Sequence, residues 1–487
     1  MSAAPLMILM LLPLSGLGLL LVRTDALRLR LSLAAQGAAL LLALTTALLV
    51  RAGGPYVLTA GPYEAPWGIT LNIGATEAFF AALFLAIALA LTAYGLPRLH
   101  QEMPAEKAAV YPALFHMSLA AVLGALLTGD LFNGFVFMEV SGLSACGMIL
   151  LSRNGDAPLS ALKYLVLGSL GSGLFLMGIA YLYAVTGHLN LHHIGTALRA
   201  AASGYPAVVT ITLALFLTGL GLKSAIFPLH LWLPDAYDAS PTPVTAFFSA
   251  LSGKAPAILL MKLLFGVYGG GFLAGTSVGS ILMTLGAAGM IAGSLLALRQ
   301  TQLKRMLAYS SVAQMGYIFL GIGLGSPLGA ALALYHMAAH SLSKACLFLT
   351  AGTLQAGAAS LPLTSCRGLG RTRPLTLGLF TAAALSMVGI PIFPGFISKF
   401  NLSLAALEAG FPVLLAVILL SSLLNAAYYF PVIIQGFFGA PAPAGPQEHD
   451  TLAASAPALA MALLLVAVGL FSGPLLAILS HGFYAGA

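Results

Sequence analysis

The chain has 487 residues, of which 60% are hydrophobic and only 7% are charged, whereas a soluble domain carries roughly 25% charged residues. This composition excludes a soluble globular protein. Apolar stretches of about 20 residues, the length that crosses a bilayer, recur from one end of the chain to the other, and we therefore expect one polytopic membrane domain.

Fourteen transmembrane helices are predicted and are numbered as spans 1 to 14 in chain order. They lie at 5–22, 31–50, 73–95, 111–128, 131–152, 162–186, 206–229, 242–268, 277–299, 304–323, 328–354, 375–397, 405–436 and 453–480. Span 1 is expected to remain as a membrane anchor and not to be a cleaved signal peptide, because no basic residue precedes its apolar run and Arg23 follows it.

Lys and Arg residues are distributed unevenly between the predicted loops. Only Arg51 and Arg199 fall in loops after even-numbered spans. The loops after odd-numbered spans hold Arg23, Arg28, Arg30, Arg98, Lys107, Arg153, Lys163, Arg299, Lys304, Arg305, Arg367, Arg371 and Arg373. Because cytoplasmic loops retain an excess of both residue types, both termini are predicted to lie outside a cell inner (plasma) membrane. The formal net charge of +7 mostly reflects this bias and not a nucleic-acid-binding surface.

Five lysines are not explained by the loops, since all lie within or at the edge of predicted spans. They are Lys223, Lys254, Lys262, Lys344 and Lys399. A charge at the bilayer centre costs about 2.5–3.5 kcal/mol on insertion scales, so such residues usually face a wet interior and carry function. Lys262 lies near the end of its predicted span, where its ammonium group could instead reach the membrane surface by snorkelling.

Glu139 is the acidic counterpart of these lysines. It follows Asp130 by nine residues, about 13 Å along a helix axis, which predicts a position near mid-membrane. Two roles are compatible with this position. Glu139 either holds helices together by pairing with a lysine, or belongs to a pair that opens and closes as a switch.

Span 11 carries three ionisable residues at intervals of four, namely His336, His340 and Lys344. Successive members lie about 40° apart around a helix, so all three line one face. Groups one turn apart are within bridging distance through one or two water molecules, and this arrangement suits a proton relay.

Helix-breaking residues accompany three of the membrane lysines. Pro228 follows Lys223, two prolines of the segment PIFPG precede Lys399, and Lys254 lies in the segment GKAP. Broken helices are tolerated at membrane depth only against protein or a water-filled cavity, where their freed carbonyl groups can contact ions. Spans 7 and 12 are therefore predicted to be broken.

No cofactor or metal motif is found in the sequence. Cys146, Cys346 and Cys366 show neither CxxC pairing nor metal-ligand spacing, and each is interpreted as a small apolar residue. Haem, iron–sulfur, flavin and nicotinamide motifs are also lacking. We expect no cofactor, no metal and no catalytic site belonging to this chain.

Five long segments carry a resemblance to a known family. They are TGDLFNGFVFMEV at 128–140, KSAIFPLHLWLPDAYDASPTPVTAFFSA at 223–250, RMLAYSSVAQMGY at 305–317, HMAAHSLSKACLFLTAG at 336–352 and GIPIFPGFISKF at 389–400. The chain resembles the antiporter-like subunits shared by respiratory complex I, the Mrp multisubunit cation/proton antiporters and the membrane-bound energy-converting hydrogenases. Several long motifs in family order are far more specific than one short pattern. Lys399, TGDLFN and FMEV are most similar to the D-type subunit of the Mrp antiporters.

The resemblance implies roles in proton translocation for the buried ionisable residues. Glu139 is similar to the span-5 glutamate of the family, and Lys223 is similar to the span-7 lysine that pairs with it. Lys254 resembles the central lysine of span 8, and Lys399 the span-12 position, which is Lys or Glu in different branches. The other candidates are the span-11 relay of His336, His340 and Lys344, with His230 and Lys262 as secondary positions.

The resemblance also implies the domain organisation of an all-α polytopic membrane protein with about 14 transmembrane helices. After spans 1–3 at 1–108, one five-helix repeat covers spans 4–8 at 109–268. An inverted second repeat covers spans 9–13 at 269–440, and span 14 follows at 441–487. Broken spans 7 and 12 occupy the same place in the two repeats, which is expected to position Lys223 and Lys399 equivalently.

The predicted function is proton translocation, or cation/proton translocation, by the antiporter-like subunit of a multisubunit complex. The complex is an Mrp-type antiporter, an NADH:quinone oxidoreductase or an energy-converting hydrogenase, and the choice between them stays open. Expected partners are other membrane subunits, H⁺, the lipid bilayer and, if it is co-transported, Na⁺. No nucleic acid is expected among them.

Three alternative interpretations agree less well with these residues. A stand-alone permease for a small organic solute needs a midplane pocket of mixed polar and aromatic residues, whereas the buried polar groups of this chain form a row of titratable side chains. An enzyme subunit with its own redox or quinone site lacks a supporting motif. A scaffold with degenerate charges is disfavoured, because all the ionisable positions expected from the resemblance are filled.

Overall fold

The computed structural model describes residues 2–201, 204–269, 276–355, 361–440 and 450–480. Within these residues, eleven helices are long and apolar enough to cross a membrane, and two shorter apolar helices accompany them. Each of the fourteen predicted spans coincides with at least one helix. The prediction of a helical, multi-pass membrane protein is confirmed.

The N-terminal part contains spans 1 to 4 and a small β-hairpin. The helices are α1 (Ala4–Leu19), α2 (Asp25–Gly53), α3 (Ala75–Gly95) and α4 (Tyr111–Leu127). Short helical turns at Leu96–Arg98, Leu99–Glu102 and Ala105–Ala108 precede α4. The antiparallel strands β1 (Tyr56–Ala60) and β2 (Ile69–Ile73) join spans 2 and 3. This hairpin was not predicted, because the helical pattern on either side masks its short strands.

Spans 5 to 8 follow, with one additional helix between spans 6 and 7. The elements are α5 (Leu131–Ile149), α6 (Ala157–Thr186), α7 (Leu191–Ala201), α8 (Pro206–Lys223), α9 (Leu233–Ala239) and α10 (Thr242–Tyr268). Span 7 is therefore two helices, α8 and α9, as predicted. The additional helix, α7, packs against the end of α10.

Helix α10 departs from α-helical geometry beside two of the membrane lysines. Its segments Phe248–Ser252 and Lys262–Tyr268 are π-helical. The first precedes Lys254 by two residues, and the second begins at Lys262. Short π-helical segments inside α-helices occur frequently at functional sites, and the wider turn redirects the side chains that follow it.

The C-terminal part contains spans 9 to 14. Its helices are α11 (Val278–Leu298), α12 (Leu303–Gly323), α13 (Pro327–Gln355), α14 (Pro374–Val388), α15 (Pro394–Glu408), α16 (Pro412–Phe438), α17 (Leu452–Leu470) and α18 (Ser472–Ser480). Two short helical turns, Leu363–Cys366 and Leu369–Thr372, precede α14. Helix α13 is buried along almost its whole length and packs against α12, α14, α15 and α17. Its polar side chains therefore lie inside the protein and away from lipid.

Span 12 is broken as predicted, but its second half is longer than expected. Helix α15 runs to Glu408, so the predictions at 375–397 and 405–436 divided one helix between two spans. The break itself reads GIPIF and is apolar. Hydropathy therefore gave no signal at the break, and Lys399 lies well inside α15 instead of at a span edge.

Both breaks contain a residue other than glycine in the left-handed region of backbone conformation. Ala225, between α8 and α9, has a φ of 55°, and Ile392, between α14 and α15, has a φ of 84°. Such conformations cost on the order of 1–3 kcal/mol each and persist only where the surrounding structure holds them. Packing of the neighbouring spans therefore maintains the two breaks.

Candidate functional site

Glu139 and Lys223 form an ion pair inside the membrane domain. The Lys223 Nζ lies 3.1 Å from Glu139 Oε1, and the Ser172 hydroxyl of α6 donates to the same oxygen. The lysine side chain is 10% exposed and the glutamate side chain 32% exposed. A cavity of about 50 Å³ adjoins the pair, enough for a few water molecules at about 10–15 Å³ each. Protons can therefore reach the pair through water.

Lys223 is the last residue of α8, where span 7 breaks. The chain then leaves the helix, and the carbonyl oxygen of Leu222 accepts hydrogen bonds from the Ala225 N–H at 3.1 Å and from the indole Nε1 of Trp232 at 2.9 Å. A buried carbonyl needs such a partner at a broken helix end. Trp232 also lines the cavity beside Lys223, so one side chain supports the break and shapes the wet space.

Lys254 lies at the centre of the chain and is 2% exposed. Its Nζ donates to the carbonyl oxygen of Ser249, which lies in the π-helical segment. Lys254 and His340 line the same cavity of about 10 Å³, which is about the size of one water molecule. A single water can therefore join the central lysine to the span-11 relay.

The three relay residues of span 11 have different surroundings. Neither ring nitrogen of His340 has a hydrogen-bond partner among the residues that the structure describes. His336 is held on both sides, with Nδ1 at 2.8 Å from Ser398 Oγ and Nε2 at 3.1 Å from Gln314 Oε1. Lys344 donates to the carbonyl oxygen of Leu307 at 2.8 Å. His340 is thus the member that is free to exchange hydrogen bonds with water.

Lys399 is buried beside the break of span 12. Its Nζ donates to the carbonyl oxygens of Met387 at 2.5 Å and Val388 at 3.2 Å, and lies 4.7 Å from the ring centroid of Tyr317. The Tyr317 ring also lies 5.1 Å from that of His336. Carbonyl oxygens and an aromatic face both favour a cation at this position.

The expected equivalence of Lys223 and Lys399 is wrong. Lys223 ends the first half-helix of span 7, whereas Lys399 lies on the second half-helix of span 12 and reaches back to the first. A lysine side chain is long enough to donate to the carbonyl oxygens at a helix end from either side of the break. Sequence spacing does not reveal on which side of the break the lysine lies.

The secondary candidates lie apart from this row. His230 is buried in the break of span 7, where its ring stacks on Phe227 at 5.3 Å. Lys262 does not snorkel to the surface. It is buried and lies 3.1 Å from the carboxylate of Glu77 on α3. Glu77 was missed, although an acid within the predicted span at 73–95 was a visible signal.

Lys304 was assigned to a loop, and this assignment is wrong. It lies in α12, is buried, and donates to the carbonyl oxygen of Ser240 at 2.7 Å. The prediction began span 10 at this residue because charge and hydropathy change there. Its burial depends on α9 and on the Ser240 carbonyl that follows α9, both of which come well before it in the chain.

Gln314, Ser398 and Tyr317 belong to the site and were also missed. All three fall in the family motifs at 305–317 and 389–400. They are uncharged, however, so the search for membrane charges did not single them out. Together with the charged residues they make the row nearly continuous from Glu139 to Lys399.

Comparison with known proteins identifies the family. Residues 128–425 match the sequence model of the NADH:quinone oxidoreductase/Mrp antiporter transmembrane family. The chain belongs to this family. The stretch contains the ion pair, Lys254, the span-11 relay and Lys399, so the whole row lies in the part that members of the antiporter family share.

Two relatives illustrate the breadth of the antiporter family. The chain is 39% identical to the N subunit of NADH-quinone oxidoreductase of Desulforudis audaxviator over 440 residues, which cover 87% of this chain and 86% of the relative. It is 33% identical to the D-type subunit of the Na(+)/H(+) antiporter of Alkalihalophilus pseudofirmus, covering 82% of this chain and 80% of the relative. The predicted family resemblance is confirmed.

Solved structures of the antiporter family have the same fold. A chain of the Mrp complex from Dietzia sp. matches with a TM-score of 0.90 and 27% identity, covering 99% of this chain and 97% of that one. A chain of an archaeal membrane-bound sulfane sulfur reductase matches with a TM-score of 0.89 and 30% identity, covering 100% and 97%. This chain is an antiporter-like, ion-translocating membrane subunit.

Proposed function

We propose that this chain translocates protons across the plasma membrane as the antiporter-like subunit of a multisubunit complex. The path runs through Glu139, Lys223, Lys254, His340, His336 and Lys399. Lys344, the third residue of the span-11 relay, also belongs to it. The observation that carries the proposal is the Glu139–Lys223 pair, at 3.1 Å beside a cavity that also adjoins the helix turn of Lys254.

The pair acts as a switch. A carboxylate at this distance stabilises the protonated form of Lys223 by direct attraction. When the two side chains separate, Lys223 is left buried without its counter-ion and gives up its proton to water in the adjoining cavity. Ala255 and Pro256, which follow Lys254 in the chain, line that cavity. The released proton is therefore delivered toward the central lysine.

The second half of the path starts at Lys254. The proton passes through the shared cavity to His340, whose ring nitrogens have no hydrogen-bond partner among the described residues. A neutral imidazole accepts a proton on one nitrogen and donates from the other. His336 then contacts the hydroxyl group of Ser398, which is the residue before Lys399 in the chain.

The chemistry of the row favours H⁺ over Na⁺ as the ion that moves along it. Sodium requires a cage of oxygen ligands, whereas four lysine ammonium groups repel a metal cation. No group of three or more His, Cys, Asp and Glu side chains that could hold a metal occurs in the described part of the chain. Any coupled Na⁺ movement therefore belongs outside this row.

Partner membrane subunits are supported by the exposure of Glu139. About a third of this carboxylate side chain is exposed in the chain taken alone, in the middle of α5. Contact of a charge with lipid at this depth is costly. A partner packed against spans 5 and 6 would cover it, as expected for a multisubunit complex.

Orientation and internal symmetry complete the proposal. The excess of Lys and Arg after odd-numbered spans supports external termini. Spans 4–8 and 9–13 are proposed to be inverted repeats, because each set has a broken fourth helix with a left-handed residue in the break. One repeat would then open to the cytoplasm while the other opens to the outside.

The test uses the intact complex, purified from membranes and reconstituted into liposomes. A K⁺ diffusion potential drives protons inward, and a trapped pH-sensitive dye records them, so no assumption about the natural energy source is needed. Glu139→Ala and Lys223→Ala are each expected to reduce transport to background while the complex assembles. Glu408→Ala, at the exposed end of α15, is the matched control.

Wild-type transport rates in both Glu139→Ala and Lys223→Ala complexes would overturn the proposal. Repeating the assay with and without Na⁺ separates the ions. Transport that requires Na⁺ in the wild type and in Glu408→Ala would show that proton movement along the row is coupled to Na⁺ movement elsewhere in the complex.

A further inference from the structure

A second set of buried polar groups lies between Lys344 and Lys399 and does not include the histidines. It consists of Ser310 on α12 with Asn425, Tyr428 and Tyr429 on α16, and we call it the tyrosine–asparagine cluster. All four residues are buried. Span 13 holds none of the lysines or histidines of the proposed path, so its polar residues have no role in that path.

The Lys344 end of the cluster is continuous. Lys344 Nζ donates to Ser310 Oγ, and Ser310 Oγ lies 3.1 Å from the hydroxyl oxygen of Tyr429. The rings of Tyr428 and Tyr429 are side by side, with centroids 4.6 Å apart. Hydroxyl groups both donate and accept hydrogen bonds, so this end can receive a proton from the lysine.

The Lys399 end is organised by Asn425. Its Oδ1 accepts hydrogen bonds from the Tyr428 hydroxyl at 2.6 Å and from Ser294 at 3.3 Å. Its Nδ2 donates to the carbonyl oxygen of Met387 at 3.2 Å, the same oxygen that accepts from Lys399 at 2.5 Å. These bonds hold the amide in one orientation and direct the Tyr428 O–H toward Asn425.

Packing alone does not account for this composition. Four polar residues buried together cost desolvation free energy that apolar residues of similar size would avoid. Phenylalanine rings could fill the space that the tyrosine rings occupy. What the hydroxyl groups add is a directed series of donors and acceptors between two titratable amines.

We propose that the tyrosine–asparagine cluster is a second proton route between Lys344 and Lys399, parallel to the His336 route. Lys344 Nζ gives a proton to Ser310 Oγ, and the Ser310 hydroxyl turns from the Leu307 carbonyl to give its own proton to the Tyr429 oxygen. The proton that Tyr429 carried leaves to water. Only O–H and N–H bonds form and break, and no charge stays on the phenol. Asn425 orients Tyr428 and does not carry the proton; the step from the tyrosine pair to Lys399 requires one or two bridging water molecules.

The proposal rests on the proton path proposed above. Two parallel routes predict that transport falls little when one route is blocked and much more when both are blocked. The double variant Tyr428→Phe/Tyr429→Phe removes both hydroxyl groups and keeps the rings. It is expected to lower transport by the reconstituted complex about two- to fivefold, and His336→Leu to do the same. The triple variant should fall at least about tenfold below the product of these effects, because neither route is then left.

Tyr335→Phe is the matched control. Tyr335 is buried on α13, and its hydroxyl donates to a backbone carbonyl, that of Val468 at 3.0 Å, outside both routes. It should lose a similar amount of thermal stability while keeping wild-type transport. A merely structural cluster would lower the melting temperature of the complex without changing transport per assembled complex.

Two results would overturn the second route: wild-type transport in Tyr428→Phe/Tyr429→Phe, or a triple variant that only multiplies the separate losses. Failure of the underlying path is distinguishable, since Lys399→Ala would then transport at the wild-type rate. Assembly of every variant is checked by size-exclusion chromatography of the intact complex.

Discussion

The ammonium group of Lys262 lies 3.1 Å from the carboxylate of Glu77, and each side chain is only 5% exposed. Lys262 also donates to the carbonyl oxygens of Leu126 at 2.5 Å and Thr128 at 3.3 Å, at the end of α4. These three acceptors match the three N–H donors of an ammonium group. The pair therefore joins spans 3, 4 and 8, and its saturation favours an anchoring role over proton transfer.

Glu77→Gln is expected to destabilise the complex strongly. Removing one partner of a buried ion pair leaves an uncompensated charge, at a cost of about 3–5 kcal/mol. Yield of the assembled complex and its melting temperature in detergent should both fall, and Glu77→Gln/Lys262→Met should restore most of the loss. Glu64→Gln, at an exposed position in the hairpin, serves as control, and an unchanged melting temperature in Glu77→Gln would contradict this role.

His340→Leu is expected to abolish transport while leaving stability equal or higher. Both ring nitrogens lack a partner among the described residues, so an apolar side chain removes buried polar atoms without breaking a hydrogen bond. His116→Leu provides the contrast, because that buried ring lies 2.9 Å from Ser15 Oγ and 3.0 Å from Gln36 Nε2. It should lower the melting temperature and leave transport per complex unchanged. Transport by His340→Leu complexes at the wild-type rate would show that His340 is not part of the path.

Lys399→Glu is expected to be inactive. In this chain, the Lys399 Nζ faces the carbonyl oxygens of Met387 and Val388 and the ring face of Tyr317. All three repel a carboxylate. Lys399→Arg keeps the charge and should retain part of the transport measured in liposomes. A fully active Lys399→Glu complex would show that this environment rearranges to suit either sign.

Gly395→Ala is expected to separate the two halves of span 12. A Cβ at Gly395 would overlap the carbonyl oxygen of Ser386, so α14 and α15 would have to move apart. The carbonyl oxygens of α14 would then recede from Lys399, and transport should fall at least about tenfold, since small displacements of reacting groups are costly. Gly378→Ala, on α14 with open space around the site, should be unchanged. Normal transport by Gly395→Ala would show that the spacing of α14 and α15 does not control transport.

Much of the candidate site was predictable because the cost of a membrane charge is a local property. Each of Lys223, Lys254, Lys344 and Lys399 stands out against an apolar span, whatever its neighbours are. Helix periodicity aligned His336, His340 and Lys344 for the same reason. Uncharged members such as Ser310 and Tyr429 carry no comparable local signal, and sequence reasoning passed over them.

The sequence by itself determined the membrane class, the approximate place of the helices, the two breaks and the row of ionisable residues. Tertiary structure alone decided which charges are neutralised. Glu77 and Lys262 are 185 positions apart in the numbering, and Lys304 is buried by helices well before it in the chain. Partner choice depends on packing between distant segments, and hydropathy and spacing report only on residues along one helix.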